Sequence, residues 1–314
     1  MKLSQKLFLL FLVPVLSCTS EKETVTAIRP NQFIKVLGIA QDAGYPQIDC
    51  EKECCQAYYK GEELKKLVSC LGLIDLDSNQ KWLFDATPDI TQQVENLKSE
   101  LISDRVLNGV FLTHAHIGHY TGLMHFGREA LGGKSIPVYA MPKMKSFIQE
   151  NAPWSQLVSL NNIKVEPLQN DSTIYLNKDL KVTPFLVPHR DEFSETVGYK
   201  IQGKNKSSLF IPDINKWKLW ENNIVEEVKK VDYAFLDATF FKDGEIPRPM
   251  SEVPHPFIEE TVSLFANQNK EVKSKVYFIH FNHSNPAILK THHLQDSIKK
   301  MGFNFAKQGQ ILDL

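Results

Sequence analysis

The chain has 314 residues, 42% of them hydrophobic and 10% aromatic, enough to bury the core of one large domain or two small ones. Its 36 basic residues are balanced by 37 acidic ones, for a net charge of -1. No global field gathers nucleic acid or acidic ligands, so nucleic acid is not expected among its partners.

The first 18 residues place Lys2 and Lys6 ahead of an apolar run over residues 7–16, followed by Ser17 and Cys18. That arrangement is a secretory leader, and its apolar run is too short to span a bilayer comfortably. The segment "VLSC" resembles the lipobox of bacterial lipoproteins. The resemblance implies acylation of Cys18 and an exported protein held by its lipid anchor at the periplasmic face or the outer membrane. Polar residues over 19–32 read as a tether, which leaves 33–314 as the folded domain. Export bears on Cys50, Cys54, Cys55 and Cys70, and two readings stand side by side. In one, disulfides join Cys50 to one of the adjacent pair and Cys70 to the other; in the other, Cys50, Cys54 or Cys55, and Cys70 build a structural zinc knuckle.

Beyond the tether, short apolar runs alternate with helical stretches and no internal repeat intervenes, the pattern of an α/β protein. Strands are expected at 33–40, 71–76, 81–86, 106–113, 136–141, 181–188, 196–202, 207–212, 233–239 and 275–280. Helices are expected at 89–101, 142–152, 215–231 and 256–268, most of them opened by proline or by an acidic or amide residue. His114, His189, Asp213, Asp237 and His280 fall at or just past the ends of apolar runs, where scaffolds of this class expose their sites.

Three of the ten histidines, His114, His116 and His119, lie within six positions of "THAHIGHYTGL". A tight turn after the strand aims His114 and His116 at one point and His119 at a second, a cradle for one or two cations. Asp237 can orient a metal-bound imidazole through its second ring nitrogen. His283 is an alternative ligand or a proton donor to a leaving group. Asp42, in "QDAGYPQ", is within reach of the cleft as an outer residue. His255, His292 and His293 have no evident partner and read as structural, and Trp217 and Trp220 read as helix packing.

"HAHIGH" resembles the HxHxDH motif of the metallo-β-lactamase superfamily, and "LVPHRDE", "LFIPDINK" and "YFIHFNHSNP" follow it in the expected order. The resemblance implies an αββα sandwich of two mixed β-sheets flanked by helices. It further implies a first cation on His114, His116 and His189, a second on the motif aspartate, His119 and His280, and Asp213 bridging the two. Gly118 stands where the motif carries its aspartate. The second position is therefore expected to lose a hard ligand, and to bind more weakly or to select a different ion. His119, His280 and Asp213 remain there, a two-histidine, one-carboxylate set of the kind that favours Fe(II). A closer resemblance runs from residue 34 to 286. "IKVLGIAQDAGYPQIDC", "WLFDATPDITQQ", "FLDATFF" and "HFNHSNP" are similar to coenzyme PQQ synthesis protein B and its relatives, a branch with cysteines matching Cys50 to Cys55 and with degenerate metal motifs.

The activity expected is that of a hydrolase for an ester, lactone or phosphodiester bond in a small molecule, with one or two zinc ions activating water. Asp213 would hold and deprotonate that water. Two alternatives stand beside it: an Fe(II)-dependent oxygenase related to PQQ biosynthesis, and a lipid-anchored carrier of PQQ or a related quinone.

Overall fold

A computed structural model describes residues 29–289 and 293–314. The leader, Cys18, most of the tether and His292 lie outside the described residues. Packed structure begins a few positions before the expected boundary: the Arg29 guanidinium pairs with Glu100, and the first strand opens at Gln32.

The first sheet contains β1 (Gln32–Gly38), β2 (Cys70–Asp75), β3 (Gln80–Phe84), β4 (Gly109–Phe111), β5 (Ile136–Ala140) and β6 (Ile163–Pro167). The second contains β7 (Ile174–Tyr175), β8 (Lys181–Leu186), β9 (Val197–Gln202), β10 (Ser207–Ile211), β11 (Tyr233–Asp237), β12 (Val276–Ile279) and β13 (Asn304–Phe305). The last strand, β14 (Ile311–Asp313), returns to the first sheet and pairs antiparallel with β1, Phe33 opposite Asp313. Each sheet is thus seven-stranded, in the orders β14-β1-β2-β3-β4-β5-β6 and β13-β12-β11-β10-β9-β8-β7. Both are mixed. Antiparallel hairpins make one half, and parallel pairs from β3 to β6 and from β10 to β13 make the other.

The pleat divides the first sheet between two cores. Ile34, Val36, Leu71, Leu73, Trp82 and Phe84 cluster with residues of the second sheet. Phe33, Leu37, Ile74 and Leu83 instead cluster with α2 (Ile90–Lys98), α4 (Pro142–Glu150) and α5 (Trp154–Ser159). Between the sheets, Phe111 stacks on Phe84 and Tyr139 at centroid distances of 5.1 and 4.4 Å, with Tyr199 edge-on at 5.6 Å. Truncating one such ring to alanine costs about 3–5 kcal/mol, so this dry seam is a main tie between the layers. The remaining helices are α1 (Glu53–Tyr59), α3 (Ile117–Tyr120), α6 (Ile224–Lys229), α7 (Ile258–Leu264), α8 (Lys270–Ser274) and α9 (Leu294–Lys300). Ile224, Val228, Ile258 and Ile298 from these helices, with Phe265 just past the end of α7, join the core that holds the second sheet.

The long helix expected at 215–231 is two pieces. A 3-10 turn covers Trp217–Leu219, and α6 starts afresh where the Asn223 side chain accepts hydrogen bonds from the Val225 and Glu226 amides at 2.9 and 3.3 Å. An asparagine side chain that satisfies free amides starts a new helix rather than continuing an old one. Trp217 and Trp220 are buried as packing residues, their indole N–H groups donating to Thr261 Oγ1 and the Leu186 carbonyl.

Candidate metal centre

The strands deliver the chemistry at their C-terminal ends. β4, β8, β10 and β12 stop at Phe111, Leu186, Ile211 and Ile279, and His114, His189, Asp213 and His280 follow within three residues of each. Parallel strands place such ends along one rim, where open α/β sheets bind ligands. Two residues there hold left-handed backbone, Asp85 at φ 73° and His280 at φ 69°. That conformation is unfavourable for side chains with a Cβ, and it concentrates at sites whose geometry is imposed by their surroundings.

At the first position, four ligand atoms converge. His114 Nε2 is 2.8 Å from His116 Nδ1 and 3.3 Å from Asp213 Oδ2. His189 Nε2 is 3.2 Å from both His116 Nδ1 and Asp213 Oδ2. Each outer ring nitrogen faces an oxygen that fixes the ring's orientation. Thr113 Oγ1 lies 3.0 Å from His114 Nδ1, Asn215 Oδ1 lies 3.2 Å from His189 Nδ1, and Glu192 Oε2 lies 3.2 Å from His116 Nε2.

The second position gathers Asp42, His119 and His280. Asp42 Oδ1 is 3.2 Å from His119 Nε2 and 3.9 Å from His280 Nε2, and Asp213 Oδ2 reaches His119 Nε2 at 3.9 Å, so Asp213 stands between the two positions. His119 donates through Nδ1 to Asp85 Oδ2 at 2.7 Å, while Asp85 also accepts from the Thr113 amide and hydroxyl at 2.8 and 2.9 Å. Asp85 was not anticipated, although "WLFDA" shows the same strand-end signal as the other ligand residues. The missing motif carboxylate is accounted for sterically. A Cβ built on Gly118 would lie 2.3 Å from Asp42 Oδ1 and 2.5 Å from Asp42 Cα, so Asp42 fills the volume that a side chain at position 118 would need. The expectation that this position loses its hard ligand is corrected: Asp42 brings an oxygen from a different loop, and it sits among the ligand atoms rather than behind them.

The donor set fits cations. Among the described residues, Asp42 Oδ1, His119 Nε2 and His280 Nε2 are buried side-chain atoms that make no aligned hydrogen bond, and they point at one another. Buried polar atoms are rarely left in that state without an ion or water to satisfy them.

His255 is not the remote structural residue its sequence context suggested. Its Nδ1 donates to Asp237 Oδ2 at 2.9 Å and lies 3.1 Å from Asp213 Oδ1, which links it to the shared carboxylate. Burial opposes a charge on His255, but Asp237 and Asp213 outweigh burial and raise its pKa to about 10. Asp213 shows the reciprocal effect: burial opposes ionisation, yet His189 and His255 hold its carboxyl well below the ordinary carboxylate range. His119 is raised well above the ordinary imidazole range, because Asp85 and Asp42 overcome its burial, whereas burial and the His119 charge depress His114. Asp237 reaches His280 through an intermediary: it accepts from Thr239 Oγ1 at 2.7 Å, and that oxygen lies 3.0 Å from His280 Nδ1.

A third cluster joins the segment after β1, including the start of α1, to the loop after β12. His283 Nδ1 is 3.4, 3.7 and 3.5 Å from the Sγ atoms of Cys50, Cys54 and Cys55, and the first two sulfurs are 4.0 Å apart. Tetrahedral zinc, with bonds of roughly 2.3 Å to sulfur and 2.0 Å to imidazole, separates its ligands by roughly 3.5–3.8 Å. Burial pushes the Cys55 thiol up to about 12, so a bound cation is what would hold these sulfurs as thiolates. Two expectations are corrected here. Cys70 takes no part: it opens β2, wholly buried, with Sγ directed at the Leu71 and Asp85 carbonyls, and His283 supplies the fourth corner instead. His283, turned toward the sulfurs, is neither a ligand of the histidine centre nor placed to give a proton there. Among the described residues, Cys50, Cys54, Cys55 and Cys70 form no disulfide.

Two sheets carrying this ordered ligand set have clear relatives. The chain belongs to the β-lactamase superfamily: the family model described as "Beta-lactamase superfamily domain" matches residues 80–281. Within it, the chain is similar to coenzyme PQQ synthesis protein B. The Methylorubrum extorquens AM1 protein is 23% identical over 312 residues, covering 90% of this chain and 99% of the relative, and the Gluconobacter oxydans protein is 24% identical over 306 residues, covering 89% and 97%. The crystal structure of Zn(2+)-bound PqqB from Methylobacterium extorquens superposes with a TM-score of 0.76 at 20% identity, covering 90% of this chain and all of that one. A diphosphatase from the PhnP family follows at a TM-score of 0.62 and 21% identity, covering 90% and 96%.

Proposed function

We propose that the chain is a metal-dependent hydrolase that uses water to cleave an ester, lactone or phosphodiester bond in a small molecule. The observation that carries this reading is Asp213 Oδ2, set among His114, His116 and His189 and also within reach of His119. His114, His116, His189 and Asp213 would hold one cation, and Asp42, His119 and His280 a second, with zinc the ion this donor set and fold suit best. When bound, such a cation supplies Lewis acidity and brings the pKa of its water toward neutrality. Asp213 takes the proton of the attacking water, and Asp85, Thr113, Asn215 and Thr239 keep the imidazoles in register. His255, charged between two carboxylates, returns a proton to the leaving oxygen.

An Fe(II)-dependent oxygenase is the second reading. It is favoured by the two-histidine, one-carboxylate composition of the second position and by the similarity to PQQ synthesis protein B, which also supports a quinone-related substrate. Elemental analysis of protein prepared in air and anaerobically, followed by ester, lactone and phosphodiester probes, separates the two. Zinc with probe turnover supports the hydrolase; iron with Fe(II)-dependent oxygen uptake moves the assignment to the oxygenase. Folded protein that takes up neither metal would sink both, and would leave the quinone carrier.

We also propose export and lipid anchoring through Cys18, on the strength of the leader pattern over residues 1–18. Among the described residues no helix is long and apolar enough to cross a membrane. Cys18→Ser should move the chain out of the membrane fraction.

A further inference from the structure

The two loops that bring Asp42 and His280 to the second cation position also build the thiol cluster. Asp42, Cys50, Cys54 and Cys55 follow β1, whereas His280 and His283 follow β12. The loops are knitted between these points: the Phe281 amide donates to the Ile39 carbonyl, and the Gln41 amide to the Phe281 carbonyl, each at 2.8 Å. Asn282 donates to the Gln41 side chain, and the Tyr45 hydroxyl donates to the Cys54 carbonyl at 2.7 Å. One end of this double loop therefore presents Asp42 and His280 to the histidine centre, and the other presents three sulfurs and one imidazole to each other. Of the first position's ligands, none comes from either loop; His114, His116, His189 and Asp213 hang from β4, β8 and β10.

We propose that the Cys50–Cys54–Cys55–His283 cluster, loaded with a thiophilic divalent cation of the zinc class, sets the affinity of the second position, and that Asp42 is the carboxylate which replaces the one absent at position 118. The inference rests on the metal-centre reading above. Its physical basis is anchoring. A ligand borrowed from a neighbouring loop is only as well placed as that loop, and Asp42 lacks the short helical turn that fixes His119 beside position 118. A cation joining Cys50, Cys54 and Cys55 to His283 closes the double loop and leaves Asp42 little freedom to withdraw. Gly118 completes the device. Any side chain there would meet Asp42 Cα at 2.5 Å, which is backbone and yields only if the loop moves.

The test is to count and titrate Zn(II) in the full chain by elemental analysis and competition with a chromophoric chelator. Three equivalents are expected in the wild type. Asp42→Asn should lose one, from the histidine centre. Gly118→Ala removes no ligand, yet it should weaken that same equivalent at least about tenfold. Cys54→Ser and His283→Gln should lose the cluster ion and weaken the second position by a similar factor, with the first position unchanged. Should either cluster variant misfold, the wild type gives the answer directly. Titrating its accessible thiols with an organomercurial should release the cluster zinc and leave one of the remaining two equivalents at least about tenfold easier for the chelator to remove, and unchanged competition for both overturns the coupling. Full occupancy in Asp42→Asn overturns the ligand assignment. A wild type that takes up no cation on its histidines defeats the proposed function instead, and so the two failures are distinguishable.

Discussion

Asp213→Asn is expected to abolish cation binding at the first position, weaken the second and lower hydrolysis by at least about 10³-fold, the scale on which buried charged groups act in catalytic sites. The side chain is buried, and its Oδ2 lies 3.3 and 3.2 Å from His114 Nε2 and His189 Nε2. Asparagine keeps the volume and removes the charge. Three imidazoles then face a neutral amide, half of whose polar surface consists of N–H donors with the wrong sign for a cation. The buried His255 also loses one of its two counter-charges, so the variant should be less stable as well as inactive. Metal content, turnover and circular dichroism on one preparation separate these effects. A folded Asp213→Asn protein with wild-type metal content would remove the shared-ligand assignment.

His255→Gln should behave differently: turnover falls by about 10²–10³-fold while both ions stay bound. The signature of a lost proton donor is dependence on the leaving group. A p-nitrophenolate ester, which departs without help, should suffer far less than an alkyl ester, and equal losses for both would argue that His255 only positions Asp213. Chelator-treated protein adds a pH test. Burial opposes protonation of His255, but Asp237 and Asp213 raise its pKa to about 10, above the ordinary value of about 6.5. A raised folded-state pKa stabilises the fold fully below pH of about 6.5, and that contribution disappears as pH rises through about 10. Denaturation of metal-free protein at pH 8 and pH 10.5 should therefore show a larger loss for the wild type than for His255→Gln.

Much of the centre was legible because short apolar strands announce their own ends. His114, His189, Asp213, Asp237 and His280 could be placed from pattern alone, since each closes a run of buried residues. His255 could not. It follows no strand, and the carboxylates that give it meaning lie in "IPDINK" and "FLDATFF", brought to it only by tertiary packing. Asp42 is subtler: "QDAGYPQ" and the glycine of "HAHIGH" are complementary, one carboxylate present where another is absent, but the complement is visible only once the two loops touch. The cysteines misled in the same way. Spacing alone could not show that Cys70 enters a strand facing the outer core, nor that a histidine from the far end of the chain would join the other three. In the fold, two-residue strands such as β7 and β13 carry too little periodicity to be read, and Asn223 divides a stretch whose apolar pattern is helical throughout.

The relocation of a ligand to Asp42 also bears on the order in which the molecule is assembled. The first position draws on residues 114 to 213, a continuous middle portion of the chain, whereas the second needs residue 42 and residue 280 together. Contacts between distant parts of a chain carry the largest closure entropy and form late. As the chain emerges N-terminus first, all the ligands of the first position are present while the last hundred residues are still to come. The second must wait for β12 to arrive beside the loop after β1, and β14 then closes over β1 from the outside. Full loading of the centre thus reports that β12 has reached the loop after β1, joining the two ends of the domain.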